Sequence, residues 1–285
     1  MKSLYRLNIE KLKNFVISRR VENGFAFCEI LPPTLQETYY GVYILKSLNV
    51  DIPNKEKIVE FLKSNSKKEV YSIHYVLNSL HLLGEDLSNL PNFVELGDFL
   101  LQRLDDALNR INRDLSLESG VTATYSFEMP NVLREVYFVA NSLSLLKKDT
   151  SKAKKFVKKF RKNGGFGTKS ANIKETYYCV SVLGKDNKNE KDVVSFIKQH
   201  ECKIGGFTKI PNGYPPYLEE TFYALQCFKI LNYDYSSYKT LNYILSLQNR
   251  DGGFRRSIHG GISTLEDTYY AIASLNLLTK KLDVL

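Results

Sequence analysis

Residues 265–275 read LEDTYYAIASL, and the phrase returns along the chain as LQETYYGVYIL at 35–45, IKETYYCVSVL at 173–183 and LEETFYALQCF at 218–228, with looser copies KEVYSIHYVL at 68–77 and LREVYFVANSL at 133–143. Counted from the acidic residue of each copy as offset zero, the anchors are Glu37, Glu69, Glu135, Glu175, Glu220 and Asp267, separated by 32, 66, 40, 45 and 47 residues. Intervals of this size fit a helix, a turn and a second helix. The 66-residue interval is the exception, and residues 84–120 read as an insertion with a helix of its own.

Within each copy the apolar residues keep helical spacing. Offset +4 holds Gly41, Ile73, Val139, Cys179, Ala224 and Ala271, and offset +8 holds Leu45, Leu77, Leu143, Leu183, Phe228 and Leu275. Between the copies lie further apolar stretches such as VVSFIKQ and LNYILSLQ, which supply partner helices. Three of the links carry Gly-Gly-Phe, at 164–166, 205–207 and 252–254. Paired glycines suit a helix stop and a tight return, and the Phe can plug the base of the next pair. A single hairpin cannot bury its own stripe, whereas six stacked ones can, and a ring closes what an open solenoid leaves exposed. The chain is therefore expected to be all-α, with six inner and six outer helices around a central cavity. Equivalent links make the inner helices parallel, so six positive dipole ends meet at one mouth.

Composition agrees with one globular domain. With 285 residues, 43% hydrophobic and 25% charged, the chain can bury roughly 75% of its unfolded surface, and it lacks the bias of disordered or fibrous sequences. No apolar run reaches the length of a spanning helix, and the first twenty residues scatter charges through their apolar positions, so a cytoplasmic location is expected. Cys28, Cys179, Cys202 and Cys227 are too widely spaced for a disulfide scaffold and read as free thiols. The net charge of +9 is local: residues 147–162 hold nine Lys or Arg against one Asp, and the remainder is nearly balanced. That segment reads as a solvated helix face, with contact to nucleic acid, an anionic membrane or an acidic partner as the alternative.

At QNRDGGF (248–254) followed by LEDTYYAIASL the sequence resembles the repeat shared by the beta subunits of protein prenyltransferases and by squalene and oxidosqualene cyclases. The likeness covers most of the chain and is weakest over 84–120. It implies an alpha/alpha toroid whose cavity holds an isoprenoid or polyprenyl diphosphate, and a helical partner subunit like that of the transferases. Transferase relatives bind zinc through an Asp and a Cys two residues apart and a His on the last inner helix. Alignment of the repeats puts Leu218, Glu220 and Asp267 there. Two carboxylates and a leucine disfavour thiolate-activating zinc and suit a hard cation such as Mg. Asn172 and Thr221 replace the relatives' diphosphate-binding His and Tyr, while Lys209, Arg255, Arg256 and His259 offer basic substitutes in the loops after GGF. The cyclases' DxDD acid motif is absent, and Leu104, Asp105 and Asp106 give only LDD.

The acids at offset zero have a simpler use. Thr34, Asn172 and Thr264 stand three residues before Glu37, Glu175 and Asp267, which is capping-box spacing. Tyr217 holds that place before Glu220, leaving Glu219 and Glu220 freer for chemistry; with Asp267 they are the catalytic candidates. Offset +2 is Tyr39, Tyr71, Tyr137, Tyr177, Phe222 and Tyr269, rings able either to stack on an isoprenoid or its cations or to pack between helices with hydroxyls bonded at the edge. Alignment with the relatives favours offsets 0, +1 and +4 as lumenal, so Thr221 and Thr268 at offset +1 join Tyr177, Phe222 and Tyr269 at offset +2 as the pocket candidates. His74 and His81 suit core or surface roles, and His200 sits at an outer-helix end. Isoprenoid binding, with or without a non-zinc transfer, is thus the leading expectation. A noncatalytic ring that docks an acidic partner on 147–162 and a glycan-processing toroid are the alternatives.

Overall fold

The structure is a computed structural model that describes residues 6–90, 93–117, 131–186 and 190–282. Twelve α-helices lie among them. Outer helices are α1 (Ile9–Ser18), α3 (Lys55–Ser64), α5 (Phe93–Leu117), α7 (Ser151–Val157), α9 (Glu190–Lys198) and α11 (Tyr238–Ser246). Inner helices are α2 (Leu35–Ser47), α4 (Val70–Leu82), α6 (Val132–Leu145), α8 (Ile173–Leu183), α10 (Leu218–Ile230) and α12 (Leu265–Leu282). Each inner helix packs on the next, and α12 returns to α2, so the inner ring is closed. All six repeat phrases fall on inner helices. The stretch read as an insertion supplies α5, the outer partner of α6. Among the described residues no helix is long and apolar enough to cross a membrane, and all four cysteines are free thiols.

The Gly-Phe links explain why the rings nest. Strands β1 (Arg20–Val21) and β2 (Gly24–Phe25) form a minimal hairpin, and β3 (Arg161–Lys162) with β4 (Gly165–Phe166) repeats it in the same register. Single bridges at Glu201 to Phe207 and Gln248 to Phe254 close two further turns, each one residue longer. The first of these four is spelled Asn-Gly-Phe, a link that a search for Gly-Gly-Phe passes over. Every Phe of the set is at most 1% exposed. Its backbone N–H donates to a threonine at offset +1 of the following inner helix: Phe25 to Thr38 (3.1 Å), Phe166 to Thr176 (2.9 Å), Phe207 to Thr221 (3.0 Å) and Phe254 to Thr268 (3.1 Å). The two units whose sequence spells no Gly-Phe before the inner helix, those of α4 and α6, carry Val70 and Val136 at offset +1.

The glycine before each Phe is covered by an aromatic ring of the next outer helix. A Cβ at Gly165 would lie 2.7 Å from Phe196, at Gly206 2.5 Å from Tyr243, and at Gly253 2.7 Å from Phe15. Only a residue without a side chain admits that approach. The last of these contacts is also the seam of the ring, because Phe15 lies on α1. There Gln248 and Asn8 clasp each other, Asn8 N donating to Gln248 Oε1 (2.9 Å) and Gln248 Nε2 donating to Asn8 O (3.1 Å).

Candidate functional site at the mouth of the inner ring

Capping follows the predicted spacing. Thr34, Asn172 and Thr264 accept from the backbone N–H of Glu37 (3.1 Å), Glu175 (2.9 Å) and Asp267 (2.9 Å), and Tyr217 makes no side-chain cap. Asn131 caps α6 in the same way through Arg134 N (3.2 Å). With the backbone donors satisfied, the side chains one residue earlier, at offset −1, and three later, at offset +3, turn toward one another across the mouth.

A continuous polar chain results. Gln36 Nε2 donates to Tyr40 OH (3.0 Å), whose hydroxyl donates to Glu266 Oε1 (3.1 Å); Tyr270 OH donates to the same oxygen (3.0 Å). The hydroxyls of Tyr270 and Tyr223 are 3.4 Å apart, Tyr223 OH donates to Glu219 Oε1 (3.4 Å), and Lys174 Nζ donates to that oxygen at 2.8 Å. Arg134 closes the far side with its guanidinium over the rings of Tyr71 (5.2 Å) and Phe138 (5.3 Å). Its Nε is buried and has no hydrogen-bond partner among the described residues. Lys209 and Arg256 both lie over Tyr217, at 5.2 and 5.3 Å, and Arg256 Nη2 is 3.7 Å from Glu219 Oε2.

Below this ring the aromatics meet in a circle. Successive centroid separations run Tyr39–Tyr269 5.5 Å, Tyr269–Phe222 5.3 Å, Phe222–Tyr177 5.9 Å, Tyr177–Tyr137 5.4 Å, Tyr137–His74 5.8 Å, His74–Tyr75 5.3 Å and Tyr75–Tyr39 5.8 Å. Hydroxyls pair inside it, Tyr39 with Tyr269 (3.3 Å) and Tyr137 with Tyr177 (3.0 Å). Burial foremost, then the nearby Tyr137, raises the Tyr177 phenol well above its usual value, and Tyr39 adds to this from α2 on the opposite side of the ring. Where the sequence led us to expect a hollow centre, the axis at this level is closed in by a circle of touching aromatic rings. Of the two uses foreseen for offset +2, packing is the one seen: the rings of Tyr39, Tyr137, Tyr177, Phe222 and Tyr269 touch around the circle and hydroxyls bond to one another, while Tyr71 packs on Phe138.

Three carboxyls at this end titrate near neutrality. Burial, then the Glu219 charge, pushes Glu220 up to about 7 against the pull of Lys209, Lys174 and Arg256. Burial pushes Asp267 up to about 6, opposed by its hydrogen bond with Thr264. Burial, with Glu266 beside it, pushes Glu37 up to about 7 despite Arg19. Glu219 goes the other way: burial would raise it, but the Lys174 hydrogen bond and charge, with Arg256 and Lys209, hold it below the ordinary carboxylate range. Consecutive residues thus hold carboxyls displaced in opposite directions.

The structure brings Glu219, Glu220, Asp267, Lys209 and Arg256 together at the α10 and α12 sector, and sets Tyr177, Phe222 and Tyr269 on the axis below. The other candidates are engaged elsewhere. Thr221 and Thr268 are 0% exposed and hold the Gly-Phe links, so they face the layer between the rings. Offset +4 faces that layer too: a Cβ at Gly41 would lie 2.5 Å from the Phe25 ring. Arg255 turns back to the end of α11, donating to Asn249 Oδ1 (2.8 Å), Ser246 O (3.1 Å) and Ser257 O (3.2 Å). His259 is exposed against Tyr214 at 5.8 Å, and the Asn172 amide donates to Glu175 Oε2 (3.1 Å). Burial pushes His74 down to about 3, with Arg134 adding to it, and burial lowers His200 as well, so neither is a ready cation. Asp105 pairs with Lys152 (2.9 Å) and Asp106 with Arg103 (3.8 Å) on the outer surface. Gln36, Arg134, Lys174 and Glu266 were not singled out from sequence; their signal is a run of polar residues one place before each anchor.

Leu218, at the first position that the resemblance assigns to zinc, is 0% exposed, and Glu220 and Asp267 add only carboxylates. Among the described residues no three His, Cys, Asp or Glu side chains cluster to hold a metal. A leucine and two oxygen donors do not fit a thiolate-activating zinc.

A closed inner ring of six parallel helices inside six outer ones defines an alpha/alpha toroid. The chain belongs to the prenyltransferase alpha-alpha toroid domain family, matching it over residues 2–86, 115–184 and 175–285. Among solved structures it is similar to Candida albicans protein geranylgeranyltransferase-I complexed with GGPP, at 15% identity and TM-score 0.71, over 97% of this chain and 92% of that one. It is also similar to the type II terpene cyclase MstE from Scytonema, at 14% identity and TM-score 0.59 over 97% of each chain. The D109N form of that cyclase, in complex with geranylgeranyl dihydroxybenzoate, aligns at 13% identity with the same coverage and TM-score 0.59. None of the curated proteins matches the chain in sequence.

Proposed function

We propose that the chain binds an isoprenoid diphosphate at the mouth of the inner ring, with the diphosphate on Lys174, Lys209, Arg256 and Arg134 and the hydrocarbon against the tyrosines beneath. The observation that carries this reading is the stacking of two layers: a charged, hydrogen-bonded rim directly over a circle of touching aromatic rings. Cations suit the anionic head, and the electron-rich faces of the tyrosines suit a prenyl group and any allylic cation formed from it. Two similar solved structures carry GGPP and geranylgeranyl dihydroxybenzoate, which supports the ligand class. Glu220 and Asp267, displaced upward, and ionised Glu219 are groups able to give or take a proton at this edge, so a transfer here proceeds without a zinc-held thiolate. Two hard carboxylates also suit Mg carried in with the diphosphate.

Displacement of a fluorescent polyprenyl diphosphate tests the reading, with and without Mg. Saturable micromolar binding that weakens about tenfold or more in Lys174→Gln supports it, a charge-assisted contact being at stake. Absence of saturable binding to the full chain at micromolar concentration removes it.

The hydroxyls paired between neighbouring inner helices favour a second reading, a ring that serves as a scaffold, with the lysines of 147–162 as the docking face. That reading requires an acidic partner to be lost on neutralising those lysines while Lys174→Gln changes nothing.

A further inference from the structure

Large apolar side chains stand free at the rim of the mouth. Ile30 is 91% exposed, Ile262 69%, Ile210 66% and Tyr214 63%, and Phe27 and Leu31 are nearly half exposed. They sit on three links, residues 26–33, 202–216 and 255–263, which feed α2, α10 and α12. These helices are neighbours in the inner ring, so the links form one arc on one face. The links are braced: Thr208 Oγ1 donates to Ile210 O (2.7 Å), Asn212 N donates to Gln199 O (3.0 Å), Ser257 bridges Gly260, and Tyr214 packs on His259. Solvent exposure of so many rigidly held apolar groups on one face calls for a non-aqueous contact.

Charge selects the partner. Lys203, Lys209 and Arg256 are exposed among the same three links, which hold one carboxylate, Glu29, and Arg256 has Glu219 of α10 at 3.7 Å. Inner-helix N-termini point the same way and add partial positive charge. The apolar side chains stand singly on separate loops with cations between them, so they build no shared pocket for a partner's side chain, as a protein interface core needs. A fluid lipid surface accepts such separate insertions, and anionic headgroups answer the cations. The geometry points to this arc as a peripheral docking surface for an anionic phospholipid bilayer, with Ile30, Ile210 and Ile262 entering the headgroup region. It stands on exposure and charge; Lys209 and Arg256 are shared with the reading of the mouth, whereas Ile30, Ile210, Ile262 and Lys203 are not.

Co-sedimentation of the full chain with vesicles decides it. The chain should partition onto phosphatidylcholine vesicles containing about 30% phosphatidylserine and be released as salt shortens the screening length. The triple change Ile30→Ser, Ile210→Ser, Ile262→Ser should lower that partition about tenfold or more, and Lys203→Glu about threefold. Melting curves should coincide with the parent's, since all four positions are exposed. No partition by the parent, or full partition by the triple variant, overturns the proposal. So does light scattering that finds the parent dimeric and the triple variant monomeric, because the arc then covers a second copy. Solution binding of a polyprenyl diphosphate by the triple variant is read separately and reports on the mouth.

Discussion

Glu220 is 7% exposed and has no hydrogen-bond partner among the described residues, while its neighbour Glu219 is held by Lys174. A carboxyl released near 4.5 in the unfolded chain but only near 7 in the folded one favours folding fully below 4.5 and loses that contribution as pH rises through 7. At alkaline pH the ionised side chain therefore costs on the order of 3 kcal/mol relative to a neutral one. Glu220→Gln should raise the melting temperature at pH 8 and leave it nearly unchanged at pH 4. Equal shifts at both pH values would show that the carboxyl is already ionised or solvated. The same variant should weaken any turnover at the mouth, since burial kept for function is commonly held against stability. The spacing of caps made Glu37, Glu175 and Asp267 legible from sequence, because capping is a local matter of three residues. Lys174, Arg134 and Glu266 were not legible, because each also meets a residue of a neighbouring helix more than 40 positions away, Glu219, Tyr71 and Tyr40.

Between the rings the unit of construction is a Phe N–H, a Thr hydroxyl and a glycine that yields its place to the next outer helix. Thr221→Val keeps volume but leaves the buried Phe207 N–H unpaired, at about 1–3 kcal/mol by denaturant unfolding, whereas Thr221→Ser should cost less than half of that. If the Val and Ser variants prove equally unstable, methyl packing and not the hydrogen bond holds the link. Gly252→Ala is the harsher change: φ there is +97°, and the new Cβ would lie 2.2 Å from the Lys11 carbonyl. The strain has no flexible neighbour to absorb it, so the loss should exceed about 3 kcal/mol. Helical period, Gly-Phe turns and the six-unit count could all be read from the chain because they are set by neighbours in sequence. Which helix face meets the axis could not. Offsets +1 and +4 hold small residues and valines whether they line a cavity or sit under a Phe ring, as Gly41 does under Phe25.

Closure gives the molecule a seam, and the seam is α1. This helix belongs to the first unit in sequence but covers the Gly-Phe link of the last, placing Phe15 where Phe196 stands two-thirds of the way round. Phe15 and Phe196 are 4% and 7% exposed, so truncating either to Ala should cost about 3–5 kcal/mol. The two losses should nevertheless spread differently. Phe196 is flanked by units on both sides, so its removal should loosen α8 and α9 while the ring stays joined. Removing Phe15 weakens the outer-ring part of the seam where the chain's two ends meet, and with the Asn8 and Gln248 clasp strained, closure rests on α12 against α2, so the array frays from both ends. Native-state hydrogen exchange should then show α1, α2, α11 and α12 losing protection together in Phe15→Ala, with α6 and α8 near parent values. Matching exchange patterns in the two variants would mean that the toroid unfolds as one unit, with closure adding contacts but no special cooperativity.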